Sequence, residues 1–282
     1  MKFGTSFPII AMDDPGAARD LAQTLDGAGF DYATAAGHLL STPADRYEGR
    51  PPATFAGPFI DPFVLFGYLA GLTNHLHFVT GILILPLYDT AVVAKQSAEL
   101  DFVSGGRFEM GVGLSWQEPE YKAVGKDIHN RGARLAEQVE VLRLFWTQPF
   151  FTFKGKYHDI DNMGLNRVPS KPIPVWFGST PEERPMRRAA RLGDGWMPMG
   201  DPTDAFPQLK QYMADAGRSD AMPLMSRVTA GEGGPDAWVA EAKRLQGVGA
   251  THITLGAPPD LTGDAATKRL LEAKGALAAA LG

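Results

Sequence analysis

The sequence predicts an α/β protein built as one (β/α)8, or TIM, barrel with a small inserted hairpin segment. Three observations carry that reading. Residues 79–116 read as strand, helix and strand, with an apolar, β-branched run at 79–85 stopped by Pro86 and a second apolar run at 108–112. Such runs suit strands buried on both faces, as parallel strands are. A parallel unit of this kind crosses over right-handed, so both strands end on the same face. The pattern then recurs as eight strands alternating with eight helices, with no internal repeat and no linker, so residues 1–282 are read as one domain.

Each element has its own signals. Residues 2–7 form the first strand. Asp13, Asp14 and Pro15 supply a cap and a first-turn proline for the first helix. Its buried stripe is Ala17, Leu21, Leu25 and Ala28, and Gly29 closes it. Residues 30–35 form the second strand. The stretch 36–60 that follows is too long for a plain connection and reads as a lid or binding loop. The aromatic residues between Tyr47 and Phe66 either line a pocket or cover the barrel mouth. Asp61-Pro62 opens the second helix, which runs to about Thr73.

After the strand at 79–85, Asp89 or Thr90 caps a third helix. There Val92, Val93, Gln96, Leu100 and Val103 recur at helical spacing, until Ser104-Gly105-Gly106 ends it. The loop 114–130 leads to a fourth helix with Leu135, Val139, Leu142 and Trp146 on one face. Residues 150–160, with Lys154-Gly155-Lys156 between aromatic residues, read as the inserted hairpin. Strands at 174–178, 195–199, 224–230 and 252–256 complete the barrel. Helices follow them after 179–185, at 202–216, at 235–246, and along Ala266, Leu270, Ala273, Leu277 and Leu281.

Composition narrows the class of function. A net charge of −5 with no long basic run argues against nucleic acid as a partner. The absence of cysteine removes disulfides, thiolate metal sites and iron–sulfur ligands, and permits a reducing cytoplasm, the expected location. The start, MKFGTSFP, has no signal-peptide core, and no apolar run approaches the ~18 residues of a membrane span.

Several residues stand where a barrel performs chemistry. His38 lies just past the second strand, and imidazole titrates near neutrality, so it suits proton transfer or a structural loop hydrogen bond. Gly111-Val112-Gly113 and Gly178-Ser179-Thr180 put small residues at strand ends, where glycine allows a flat ring or phosphate to approach the backbone. Ser179 and Thr180 also precede a helix, whose N-terminus favours an anion, although a tight turn with an N-cap reads the same way. The His75-x-His77 pair lies at the N-terminal end of its strand, so no metal is expected. Arg131, Arg134 and Glu137, and Arg187, Arg188 and Arg191, read as salt-bridging residues outside the barrel. Arg107 falls on the stability face.

The runs AKQSAELDFVSGGRFEMGVGLSWQEPEYKAVG, RGARLAEQVEVLRLFW and RRAARLGDGWMPMG resemble the luciferase-like monooxygenase superfamily, closest to its probable coenzyme F420-dependent oxidoreductases. The resemblance spans residues 2–200 and implies the same barrel with an insertion. It implies hydride transfer between the deazaflavin C5 and a small-molecule substrate. The alternatives are a flavin mononucleotide (FMN)-dependent monooxygenase and a non-catalytic cofactor-binding protein. His38 matches the family's active-site histidine, while Gly37 replaces the acidic residue that precedes it in deazaflavin-dependent members. Thr80, Gly81 and Ile82 match a strand bulge with a cis peptide behind the ring system. Gly113 and Leu114 fall at the cofactor's edge, where the light-emitting flavin branch has a phosphate-binding arginine and some deazaflavin members have a catalytic glutamate. Gly178, Ser179 and Thr180 match the phosphate end. Barrels of this family commonly pair, so a homodimer is expected.

Overall fold

A computed structural model of the chain describes residues 1–7, 14–41 and 60–282. The Asp13 cap and most of the 36–60 loop lie outside the described residues. The first half alternates β1 (Lys2–Ser6), α1 (Pro15–Gly27), β2 (Tyr32–Gly37), α2 (Pro62–Ala70), β3 (His77–Leu83), α3 (Thr90–Ser104) and β4 (Phe108–Val112). Then come α4 (Glu118–Ala123), α5 (Arg131–Thr147), β5 (Phe151–Lys154) and β6 (Asp159–Met163). The second half runs β7 (Val175–Ser179), α6 (Glu183–Leu192), β8 (Gly195–Pro198), α7 (Ala205–Asp215), β9 (Leu224–Thr229), α8 (Gly234–Val248), β10 (Ala250–Gly256) and α9 (Gly263–Leu281).

Eight parallel strands close the barrel in the order β1-β10-β9-β8-β7-β4-β3-β2, and β5 and β6 form a separate antiparallel hairpin. The expected barrel with its insertion is therefore the observed architecture. The closure pairs first and last strands, with Phe3 opposite Ile253. Among the described residues no helix is long and apolar enough to cross a membrane.

Local sequence explains most boundaries. Asp14 caps α1 by accepting from the Gly16 N–H, and Asp61 caps α2 by accepting from Phe63 and Val64. Gly105 closes α3 in the left-handed conformation, at φ 68°. Leu135, Val139, Leu142 and Trp146 are all buried along α5.

Several elements differ from expectation. In α1 the buried residues are Ala18, Leu21, Ala22 and Leu25, and Ala17 is exposed. β2 begins and ends two residues later than expected, because Ala28-Gly29 first turns the chain, and β3 begins and ends two residues earlier, because His77 already pairs with Tyr32. The stretch read as a plain loop at 114–130 contains α4. The largest correction is α3. Val92 and Val103 are 53% and 54% exposed, and the helix packs through Val93, Ala94, Ser97, Ala98, Leu100, Asp101 and Ser104. Small side chains let the helix sit close to the sheet and α5, so size outranked hydropathy in choosing its face. Asp89 precedes α3 without a capping bond and pairs with Lys126 instead.

The inserted hairpin is tied to the barrel by one carboxylate. Glu137 on α5 accepts from the Lys156 and Tyr157 N–H groups at 2.8 and 2.7 Å and contacts His158 Nδ1 at 2.8 Å. His158 Nε2 in turn lies 2.6 Å from Thr90 Oγ1. Glu137 thus clamps the hairpin rather than pairing with Arg131 or Arg134. Arg187 and Arg191 make the outer salt bridges expected of them, with Glu183 and Glu140. Arg107 knits the N-terminal face by donating to the carbonyls of Ala70, Leu76 and Ser104.

Candidate functional site

A cavity of about 900 Å³ occupies the C-terminal mouth of the barrel. That size suits a small ligand. Seven of the eight barrel strands reach it, through Ser6, Thr34, Gly81, Gly178, Met197, Arg227 and Thr254, and Leu114 does so from just beyond β4. The wall is mixed, with Ile82, Leu114, Met197 and Met225 apolar and Ser6, Thr34 and Thr254 bearing hydroxyls.

Ile82 shapes the apolar wall. The Gly81–Ile82 peptide is cis, as the resemblance implies. A Cβ on Gly178 would stand 2.5 Å from Ile82 Cγ2, and one on Gly113 would stand 2.7 Å from Ile82 Cδ1. Both distances are far inside van der Waals contact. Gly113 and Gly178 are therefore glycines because the Ile82 side chain lies across them. Thr80 is buried below, where its hydroxyl donates to the Gly111 carbonyl and accepts from the Gly111 N–H.

His38 follows the last residue of β2 and is not among the residues lining the cavity. Its Nδ1 lies 3.1 Å from Glu120 Oε2, and the Glu120 side chain has 0% exposure. The other carboxylate oxygen accepts from the Leu39 and Leu40 N–H groups at 2.7 and 3.2 Å. Glu120, on α4, thus holds both the imidazole and the backbone beyond β2. Nothing local in the sequence marks this partner, which is 82 residues away.

At the end of β7 the residues divide. Gly178 and Thr180 line the cavity. Ser179 is the last strand residue, and its hydroxyl accepts from Trp196 Nε1 at 2.9 Å. Thr180 donates its hydroxyl to Glu182, and α6 begins with Glu182 and Glu183. The α6 N-terminus therefore already faces carboxylates, and any anion here would be held by backbone at Gly178 and Thr180.

The opposite wall is β9. Arg227 donates to Ser6 Oγ at 3.0 Å, and Ser6 Oγ also accepts from Thr34 Oγ1 at 3.0 Å. Ser226, 6% exposed, has an Oγ without a hydrogen-bond partner. At the rim Arg244 holds both Asp201 and Glu241. The hydroxyl and N–H of Thr203, with Arg244, keep the Asp201 carboxyl at about 2. Sequence reasoning passed over Arg227, whose one signal is a charge inside the strand Leu224–Thr229. At strand parity Arg227 shares a face with Met225 and Thr229, toward the mouth.

Deeper in the barrel, the far end carries a buried polar layer away from the mouth. Burial would raise the Glu109 carboxyl, but neighbouring His77 and the Trp176 indole N–H, at 2.6 Å, hold it below its ordinary value. His252 packs between Tyr32 and Trp176, and burial depresses it to about 4. Among the described residues no cluster of three acidic or histidine side chains could hold a metal ion.

The model of the luciferase-like monooxygenase family matches residues 1–274. The chain belongs to that family. It is 34% identical over 203 residues to an uncharacterized protein of Mycobacterium tuberculosis, covering 71% of this chain and 68% of that relative. Among solved structures, the monooxygenase RslO1 from Streptomyces bottropensis has the same fold, with a TM-score of 0.82, 18% identity and 99% of each chain covered. So does an F420-dependent secondary alcohol dehydrogenase in complex with an F420-acetone adduct, with a TM-score of 0.78, 18% identity and 98% of each chain covered. Identities this low speak for the shared fold alone.

Proposed function

We propose that this family member is a coenzyme F420-dependent oxidoreductase acting on a small organic substrate. The observation that carries the reading is the wall formed by Ile82 and Leu114. A planar ring fits an apolar wall next to a hydroxyl-bearing floor. Where the flavin-binding branch of the family has an arginine for the FMN phosphate, this wall presents Leu114, which favours the deazaflavin over FMN.

When bound, the deazaflavin supplies hydride exchange at its C5. The chain's own residues do the rest. Gly81 and Ile82 back the ring, and Gly113 and Gly178 leave Ile82 the room to do so. The backbone at Gly178 and Thr180 takes the phosphate-bearing tail, with Ser179 held below by Trp196. Thr80 keeps β3 and β4 in register beneath. His38, oriented at Nδ1 by Glu120, exchanges the substrate's proton.

Titration of the chain with F420 and with FMN, followed by cofactor fluorescence, tests the reading. F420 should bind at least about tenfold more tightly than FMN, a difference of ~1.4 kcal/mol. Preference for FMN, or no binding of either, would reject it.

A further inference from the structure

Four charged side chains line the cavity: Asp201, Arg227, Glu241 and Arg244. Three form one cluster at the rim, with Arg244 donating to Asp201 at 2.6 Å and to Glu241 at 2.7 Å. Arg227 stands apart. Its described contact is one N–H donated to Ser6, and no carboxylate pairs with it among the described residues. A guanidinium carries five N–H donors in a planar fork, so a single neutral partner uses little of its capacity.

The strand that carries Arg227 is open to the cavity. β8 and β9 pair only where Trp196 meets Leu224. Beyond that pair the β9 edge from Met225 onward faces the cavity, which runs along it as far as Leu245 of α8. Ser226, the neighbour of Arg227, turns its buried hydroxyl to the other face of the strand, so Arg227 is the polar side chain that β9 offers here beside Thr229. A guanidinium with no carboxylate partner among the described residues, on a strand edge open to the cavity, makes β9 the wall that awaits a polar ligand group.

We infer that Arg227 determines specificity, and that the substrate is a small organic anion whose carboxylate binds this guanidinium. This rests on the mouth being the oxidoreductase site proposed above. A carboxylate can take two parallel N–H donors from the fork, and such charge-assisted bonds exceed those available to a neutral amide of the same shape. A carboxylate can also arrive on the coenzyme's own tail, so the test separates the two sources.

Benzoate and its neutral isostere benzamide are titrated calorimetrically into the full chain, with and without F420. Wild-type protein should bind benzoate at least about tenfold more tightly than benzamide. Inorganic phosphate should displace the benzoate. Arg227→Met should erase the preference while F420 affinity stays within severalfold, and Arg227→Gln should do the same if the methionine variant does not fold. Equal affinity for the two probes, no displacement by phosphate, or a preference that survives in the variants overturns the inference. So does a loss of F420 affinity in the variants as large as the loss of benzoate, which would assign the cation to the coenzyme. A retained benzoate preference with no F420 binding would reject the cofactor reading and leave the anion site standing.

Discussion

Glu120 Oε2 lies 3.1 Å from His38 Nδ1, and Glu120 Oε1 accepts the N–H groups of Leu39 and Leu40. Residue 37, next to His38, is a glycine, and α4 supplies a carboxylate to His38 from another part of the chain. His38→Ala should lower turnover by ~10²–10⁴-fold with cofactor affinity within severalfold. His129, in the loop before α5, is the rival donor; like His38 it lies outside the cavity lining, but it is exposed and has no buried carboxylate on its ring among the described residues, so His129→Ala should change turnover much less. Steady-state kinetics on a reactive substrate decides between them, and normal turnover in His38→Ala would end the acid–base assignment. Glu120→Ala should loosen the backbone past β2, raising amide exchange at residues 38–40, because two N–H groups lose their acceptor.

The packing of Ile82 over Gly178 makes a second test. A Cβ at Gly178 would fall 2.5 Å from Ile82 Cγ2, so Gly178→Ala must push Ile82 toward the ring site. We expect cofactor affinity to fall about tenfold or more, and to recover when Ile82→Ala is added. Pairwise binding titrations measure this as a double-mutant cycle. Additive effects of the two substitutions would show that the contact does not govern the site.

Glu137 offers a third. Four groups meet its carboxylate or depend on it: the Lys156 and Tyr157 N–H groups, His158, and through His158 the α3 residue Thr90. Burial would raise this carboxyl, yet its bonds to His158, Tyr157 and Lys156 hold it below its ordinary value. A depressed carboxylate stabilises above its unfolded pKa, and that stability is lost as pH falls through the folded value. Acid should therefore release the hairpin first. Glu137→Gln should raise hydrogen exchange across residues 151–163 at neutral pH while the barrel strands stay protected. Uniform protection in that variant would contradict the clamp.

His252 sets a pH dependence of opposite chemistry and the same direction. Burial between aromatic rings lowers it to about 4, so the folded chain keeps it neutral while the unfolded chain protonates it near 6.5. The unfolded state then binds more protons between those values, and stability falls as pH drops from about 6.5 to about 4. The shift corresponds to at most about 3 kcal/mol at neutral pH. Urea unfolding of wild type and His252→Gln should show the slope in this window shallower in the variant. Equal slopes would remove His252 from the acid response.

The sequence alone determined the order of strands and helices, the barrel, the inserted hairpin and the end of α3 at Gly105. Those depend on short-range signals: apolar runs, capping residues and a left-handed glycine, each legible within a few residues. The tertiary structure decided which face α3 buries, because fit against the sheet favoured Ala94, Ser97 and Ala98 over Val92 and Val103. It decided why Gly113 and Gly178 are glycines, since their neighbour is Ile82 on another strand. It paired His38 with Glu120 and, among the described residues, left Arg227 without a carboxylate, because charge pairing depends on distances that only barrel closure sets.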